Sequence, residues 1–444
     1  MTCRPARHAL LLSFLLAPFS AQSQTPEATL PIGTPLPVMI ENHLPMRVGQ
    51  PIRAQLIYPV YSDNTLILPE KTILTGTVTE LRSNHSRRIN ARINGDFTPY
   101  YIPVVRFTQM ILPDGTSLSL TTSTATDGAP LLRLVAPPPR KGGFIRTQWD
   151  YGVQVLHTEI AIFTAPEKGD RLLQLFYHQL PYHPQRIENG TAWTVEIAEP
   201  LTIPPQSVQV SAPTDPAKST PLPVKTDESG RPTWTINAYL GDQLTSATAK
   251  SGQPIHAVVA EPVYNPDHTI AVPQGATIIG AITQAKPARY FARGGNLGFD
   301  FKQIILPDGH TQNVQVALTG ADSASTADLA MNSEGKVTPK PQDKIVVPLL
   351  LIFLASRPLD HDDDSGSVAG KNFVGANGFG LVGNIIGLAG GAPKVASGIG
   401  FYGAATAFYR RWIARGHEVT FAKDTRLVLQ TTPRSAAVLK PEPR

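Results

Sequence analysis

Cysteine is nearly absent: Cys3 is the only one in 444 residues, and it lies ahead of an apolar stretch that reads as a leader. Without that leader, neither a disulfide framework nor a thiolate metal site is available. Charge is sparse as well, at 16% of residues with a formal balance of +5. Losing Arg4 and Arg7 with the leader lowers the balance to +3, too mild to point to nucleic acid as a partner. The chain has no Gly-x-Ser-x-Gly elbow, no His-Glu-x-x-His and no pair of histidines at helical spacing. These absences predict a protein that is not an enzyme and that uses no cofactor and no metal.

What is abundant is proline, 42 residues, about twice the usual share. Proline breaks helix interiors and is tolerated in turns, edge strands and stiff linkers, so a mainly β architecture is expected. At the N-terminus, Arg4 and Arg7 precede apolar residues 9–19, and Ala21-Gln22-Ser23 offers the small residues that a signal peptidase reads. Residues 1–23 therefore read as a signal peptide, which places the mature protein in the periplasm or at the outer membrane.

The sequence also repeats itself. Gly49-Gln50-Pro51-Ile52 recurs as Gly252-Gln253-Pro254-Ile255, and Pro59-Val60-Tyr61 recurs as Pro262-Val263-Tyr264. Leu68-Pro69 followed by Gly76 answers Val272-Pro273 followed by Gly280, and Ile111-Leu112-Pro113-Asp114-Gly115 returns as Ile305-Leu306-Pro307-Asp308-Gly309. Four matches in the same order predict a tandem duplication. Period-two runs, such as Ile52, Ala54 and Leu56 or Leu297, Phe299 and Phe301, are half-buried strands. Pro-Asp-Gly at 113–115 and 307–309, and Pro273-Gln274-Gly275, are the turns between strands.

The expected organisation is a first β-barrel module at 31–203, a Pro-rich linker at 204–232, a second module at 233–431 and a disordered tail at 432–444. Each module makes a helical excursion before its closing strand, at 148–183 in the first and 345–415 in the second. The closing strands are Ala192 to Ile197 and Thr425 to Leu429. Residues 322–344 read as a long polar loop.

Residues 373–392 form an uncharged run of 20, about 30 Å long as a helix. Gly383, Gly387 and Gly391 fall on one face there, spaced for close helix approach. With Phe373, Phe401 and Tyr402 they are the candidates for an assembly or membrane hairpin; the alternative is a glycine-rich hairpin packed on its own barrel or on a neighbouring subunit. Gly378 to Gly383 fits a dinucleotide pattern but has neither the strand before it nor the acid after it. His361 to Asp364 is too short to encircle a cation and reads as a solvated loop. Arg82, Arg87, Arg88 and Arg92 in the first copy stand where Lys286, Arg289 and Arg293 stand in the second. They read as cations at hairpin tips, with a polyanion site as the functional alternative.

Several of these motifs carry a resemblance. Ala260-Glu261-Pro262-Val263-Tyr264, then Ile270-Ala271-Val272-Pro273-Gln274-Gly275 with Gly280, Ile304 to Gly309, and Asp424-Thr425-Arg426-Leu427 follow one another as in TrbI-like channel scaffolds. This stretch resembles the periplasmic barrel of that conjugation and type IV secretion family. The resemblance implies a β-barrel with an inserted helical hairpin, a homo-oligomer or partners in the envelope, and contact with the outer membrane. The leading expectation is an exported structural or assembly protein of the cell envelope. The alternative is a soluble exported binding module for glycan or peptide; a hydrolase ranks third.

Overall fold

The structure is a computed structural model. It describes residues 28–93, 96–126, 128–137, 182–203, 234–265, 267–324, 329–340, 402, 405 and 408–431. The expected signal segment, linker and tail and nearly all of both expected excursions lie outside these residues, as do Phe373, Gly383, Gly387, Gly391 and Phe401.

The described chain is mainly β. In the N-terminal half the strands are β1 (Ala28–Leu30), β2 (Pro35–Ile40), β3 (Leu44–Pro45), β4 (Pro51–Leu56), β5 (Val60–Ser62), β6 (Thr65–Leu68) and β7 (Ile73–Ser83). Helix α1 (His85–Ile93) precedes β8 (Tyr101–Ile111), β9 (Ser117–Ser119), β10 (Ala129–Val135), β11 (Arg186–Ile187), β12 (Thr191–Glu196) and β13 (Leu201–Ile203). The C-terminal half begins with β14 (Thr235–Leu240), β15 (Leu244–Thr245), β16 (Pro254–Val259), β17 (Val263–Tyr264), β18 (Ile270–Val272) and β19 (Thr277–Lys286). It continues with β20 (Asn296–Ile305), β21 (Thr311–Ala324), β22 (Leu329–Met331), β23 (Val337–Pro339), β24 (Thr420–Phe421) and β25 (Arg426–Thr431).

Fifteen strands join in one sheet, ordered β22-β23-β20-β19-β16-β14-β25-β21-β10-β12-β2-β4-β7-β8-β9. Because β20 also pairs with β21, the path β20-β19-β16-β14-β25-β21 closes into a six-stranded barrel. Closure leaves the barrel strands without an open edge. In the N-terminal half β8 meets β9 in a short ladder from Gln109 to Ile111, and beyond it the closing contacts are isolated backbone bonds. Val105 and Ala125 exchange two bonds of 3.0 Å, Ser123 N donates to Glu196 O at 2.9 Å, and Ala198 N donates to Thr121 O at 2.9 Å.

The alternation in the sequence is the alternation of burial. Ile52, Ala54 and Leu56 face the core of the N-terminal half, together with Phe107 and Trp193. Leu297, Phe299 and Phe301 face that of the C-terminal half, with Phe299 edge-on to both Phe301 and Phe421. Ladders and irregularities recur at matching positions. Ile52 faces Gly76 and Ile255 faces Gly280. The β7–β8 register shifts at Thr75/Gly76 and Val78/Glu80, and the β19–β20 register at Ile279/Gly280 and Ile282/Gln284.

The turn motifs sit where their chemistry demands. Gly115 and Gly309 have φ of 88° and 86°, and each donates its N–H to the leucine three residues earlier at 2.9 Å. Asp114 and Asp308 accept from the second backbone N–H after them, at 2.8 and 2.9 Å. Pro113 and Pro307 preset the first corner of these turns. After Pro273 the left-handed position is Gly275 at φ 81°; after Pro69 it is Lys71 at φ 66°.

One expectation is corrected and another is refined. The polar stretch 322–344 is not simply a loop. The strand β21 runs to Ala324, and β22 and β23 pair around a turn in which Asn332 Oδ1 accepts from Glu334 N and Lys336 N. Polar residues suffice there because the hairpin buries only Leu329, Met331 and Val337 among its large apolar side chains. The arginines after Arg82 stand at the tip of the β7–β8 hairpin, but on a helix, α1, that forms the connection between its strands. Asn84 caps that helix, accepting Arg87 N at 3.0 Å through its side chain.

Candidate functional site

The two halves are joined by more than the sheet. In β10, Leu131 to Val135 pair with β21 from Ala324 back to Gly320, and Leu134 enters the hydrophobic core of the C-terminal half. At the first residue of β25, the Arg426 guanidinium lies 3.7 Å above the ring of Tyr58 from the other half. Its Nη2 donates to Glu261 Oε1 at 2.6 Å, and Asn237 Nδ2 donates to Glu261 Oε2 at 3.2 Å. Only 8% of Arg426 is exposed. Burial pushes the nearby Tyr239 hydroxyl up to about 12, and it raises Tyr61 and Asp322 as well, with Arg426 pulling the other way in each case. Close by, Asn64 Oδ1 in the β5–β6 hairpin accepts Gln274 N at 2.7 Å.

A second polar contact across this seam joins Glu196 to the Lys423-Asp424 corner. Lys423 Nζ is 2.5 Å from Glu196 Oε1 and 3.7 Å from Asp424 Oδ2. Glu196 is held below the usual carboxylate range by its hydrogen bond from Lys423. Asp424 is pushed up to about 6, first by burial and then by its hydrogen bond and like charge with Glu196. Between the ordinary aspartate value of 3.8 and about 6, the unfolded chain releases this proton while the folded chain keeps it. Stability therefore falls as pH rises through that window. Glu196 contributes in the opposite sense, and only at lower pH. Asp424→Asn is expected to flatten the profile and to raise stability at pH 7.5 by about 1–2 kcal/mol, screening included. Urea titrations at pH 4.5, 6 and 7.5 measure this; parallel profiles for both proteins would refute it.

A cleft of about 520 Å³ is lined by Leu44, Met46, Arg47, Tyr101, Tyr182 and Arg186 among others. His183, also in the lining, forms a network with Asp96 and Tyr100 in which the Tyr100 hydroxyl meets Asp96 and lies 3.2 Å from His183 Nε2. Hydrogen bonds from Thr98 and Tyr100 hold the Asp96 carboxyl below its usual range against the opposing effect of burial. The Gln185 amide bonds both backbone groups of Tyr101, at 2.7 and 2.6 Å. These groups satisfy one another and tie two stretches of chain together.

The third feature is a surface of arginines and aromatics. The Tyr402 hydroxyl donates to Ile93 O at 3.1 Å and Arg410 Nη2 to Asn90 O at 3.0 Å, which brings the end of the second excursion against α1. Phe291 N donates to Ile413 O and Ala292 N to Ala414 O, at 3.0 and 2.8 Å, so the β19–β20 turn joins the same surface. Phe408 stacks on Trp412 with ring centroids 5.9 Å apart. Sequence reasoning singled out Tyr402 and the arginines separately, but nothing in their spacing placed them together. Arg426 was legible only as part of a motif, because its partners Glu261 and Tyr58 are remote in sequence.

Among the described residues no cluster of His, Cys, Asp or Glu could hold a metal ion. No helix among them is long and apolar enough to cross a membrane, which says nothing about strands. No family model matches the chain, and no curated protein matches it. Among solved structures, ComB10 of the Com type IV secretion system of Helicobacter pylori is similar at 12% identity and a TM-score of 0.22, over 40% of this chain and 90% of that one. At this level the likeness says nothing of what this chain binds.

Proposed function

We propose that this chain is an exported structural protein of the cell envelope that works by assembly, in the manner of a secretion-channel scaffold. The observation that carries the reading is the seam: a single sheet runs through both halves and is locked by the Arg426–Glu261 pair under Tyr58. That arrangement holds two β units in fixed relation, as a scaffold subunit requires. The polar networks support it too, because each holds separate chain segments together. The ordered motifs from Ala260 to Leu427 and the leader-like N-terminus point the same way.

The test is fractionation of cells producing the full chain, followed by sizing in mild detergent. A scaffold is expected in the envelope fraction and as a homo-oligomer or a larger complex. A soluble monomer would refute it and favour the second reading, an exported binding module for glycan or peptide. The 520 Å³ cleft with Tyr101, Tyr182, Arg47 and Arg186 in its lining is what supports that alternative.

A further inference from the structure

We propose that the surface formed by α1, the β19–β20 turn and residues 408–415 binds the head groups of anionic phospholipid at a bilayer face. This rests on the envelope reading only in that the protein must meet a bilayer.

The charge on this surface has one sign. Helix α1 carries Arg87, Arg88 and Arg92 and no acid, and the β19–β20 turn carries Lys286, Arg289 and Arg293 and no acid. The neighbouring acids are already engaged: Glu418 by Arg415 at 2.8 Å and Ser246 at 2.6 Å, Asp96 by Thr98 and Tyr100, and Glu80 by Arg82 at 3.4 Å. Arg92, Arg289 and Arg293 are exposed, and among the described residues their side chains make no ion pair. A concentration of unneutralised guanidinium groups is what an anionic leaflet attracts.

Charge alone would fit any polyanion; the apolar groups beside it select the bilayer. Tyr290, Phe291, Phe408, Tyr409, Trp412 and Ile413 are each 40–66% exposed, and α1 buries none of its residues, Ile89 and Ile93 included. Aromatic rings could stack on bases, but isoleucine cannot, and a soluble polyanion would leave all of them in water. Tryptophan and tyrosine favour the head-group layer, where a ring can be half apolar and half wet. Arginines beside such rings form an interfacial contact that needs no spanning helix.

The experiment is flotation of the full chain with vesicles of phosphatidylcholine alone or with phosphatidylglycerol added, at low and high salt. Binding is expected only with phosphatidylglycerol, and is expected to fall as salt rises. An Arg289→Gln/Arg293→Gln double variant should bind roughly 30-fold more weakly, about five-fold per charge at 1 kcal/mol each. Phe291→Ala should weaken binding by roughly ten-fold through lost apolar contact. All three positions are exposed, so unchanged circular dichroism and unfolding are expected and exclude misfolding as the cause.

Equal binding to phosphatidylcholine would overturn the charge recognition, and no vesicle binding at low salt would overturn the proposal outright. Heparin binding with the same arginine dependence, in a protein that ignores vesicles, would make this a soluble-polyanion site and also overturn it. A protein that still assembles in detergent while ignoring vesicles keeps the scaffold reading and loses this one.

Discussion

Replacing Arg426 with alanine is expected to destabilise the folded chain by about 3 kcal/mol, because it strands the Glu261 carboxylate in a partly buried site. The guanidinium does three things at once. It bonds Glu261 at 2.6 Å, covers the Tyr58 ring at 3.7 Å, and opposes the burial that raises Asp322. Removing both ends of the pair is a milder change than removing one. Arg426→Met combined with Glu261→Gln should therefore recover more than half of the loss, and a double-mutant cycle reads this as a coupling of about 2 kcal/mol. Equilibrium urea unfolding is the measurement. A loss below about 1 kcal/mol for Arg426→Ala would mean that the seam is held by the β10–β21 ladder alone.

The second large effect is steric. A Cβ on Gly280 would sit 2.2 Å from the carbonyl oxygen of Asp300, and one on Gly76 would sit 2.1 Å from that of Arg106. Both obstacles are backbone atoms of the paired strand, so neither can rotate away. Gly280→Ala and Gly76→Ala are each expected to cost about 3 kcal/mol through forced separation of the ladder. Gly309→Ala is the control, with φ of 86° and open space around it. Its cost is conformational only, about 1 kcal/mol. Thermal unfolding of the three variants separates the mechanisms, and a Gly280 variant no worse than the Gly309 one would show that the strands can part without penalty.

Where the sequence was informative, the reason was local. Ile52, Ala54 and Leu56 declare a buried face because strand periodicity is two, and Pro113-Asp114-Gly115 declares a turn because each residue supplies one part of it. The bulges at Gly76 and Gly280 were not legible as bulges, yet the glycines marked where one backbone presses on the next. Helix α1 escaped notice for a physical reason: it buries nothing, so it has no apolar stripe to reveal its period, and its signal reduces to the Asn84 cap. The seam was hidden differently. Glu196 and Lys423, or Glu261 and Arg426, are ordinary surface-type residues until pairing far along the chain makes them neighbours.

Strand β21 has a consequence in time. It is 14 residues long, and its far end, beyond the segment that meets β20, is where β10 pairs. Between Val135 and its partner Gly320 the ribosome must add 185 residues. At ordinary rates of about 5–20 residues per second, that takes roughly 10–40 s. Throughout that interval one edge of β10 has no partner in the chain yet made, although its other edge can already meet β12 once residue 192 has emerged. The N-terminal half thus waits, with an exposed strand, for a neighbour synthesised long after it, and whatever keeps strand edges apart during synthesis must cover it for that long.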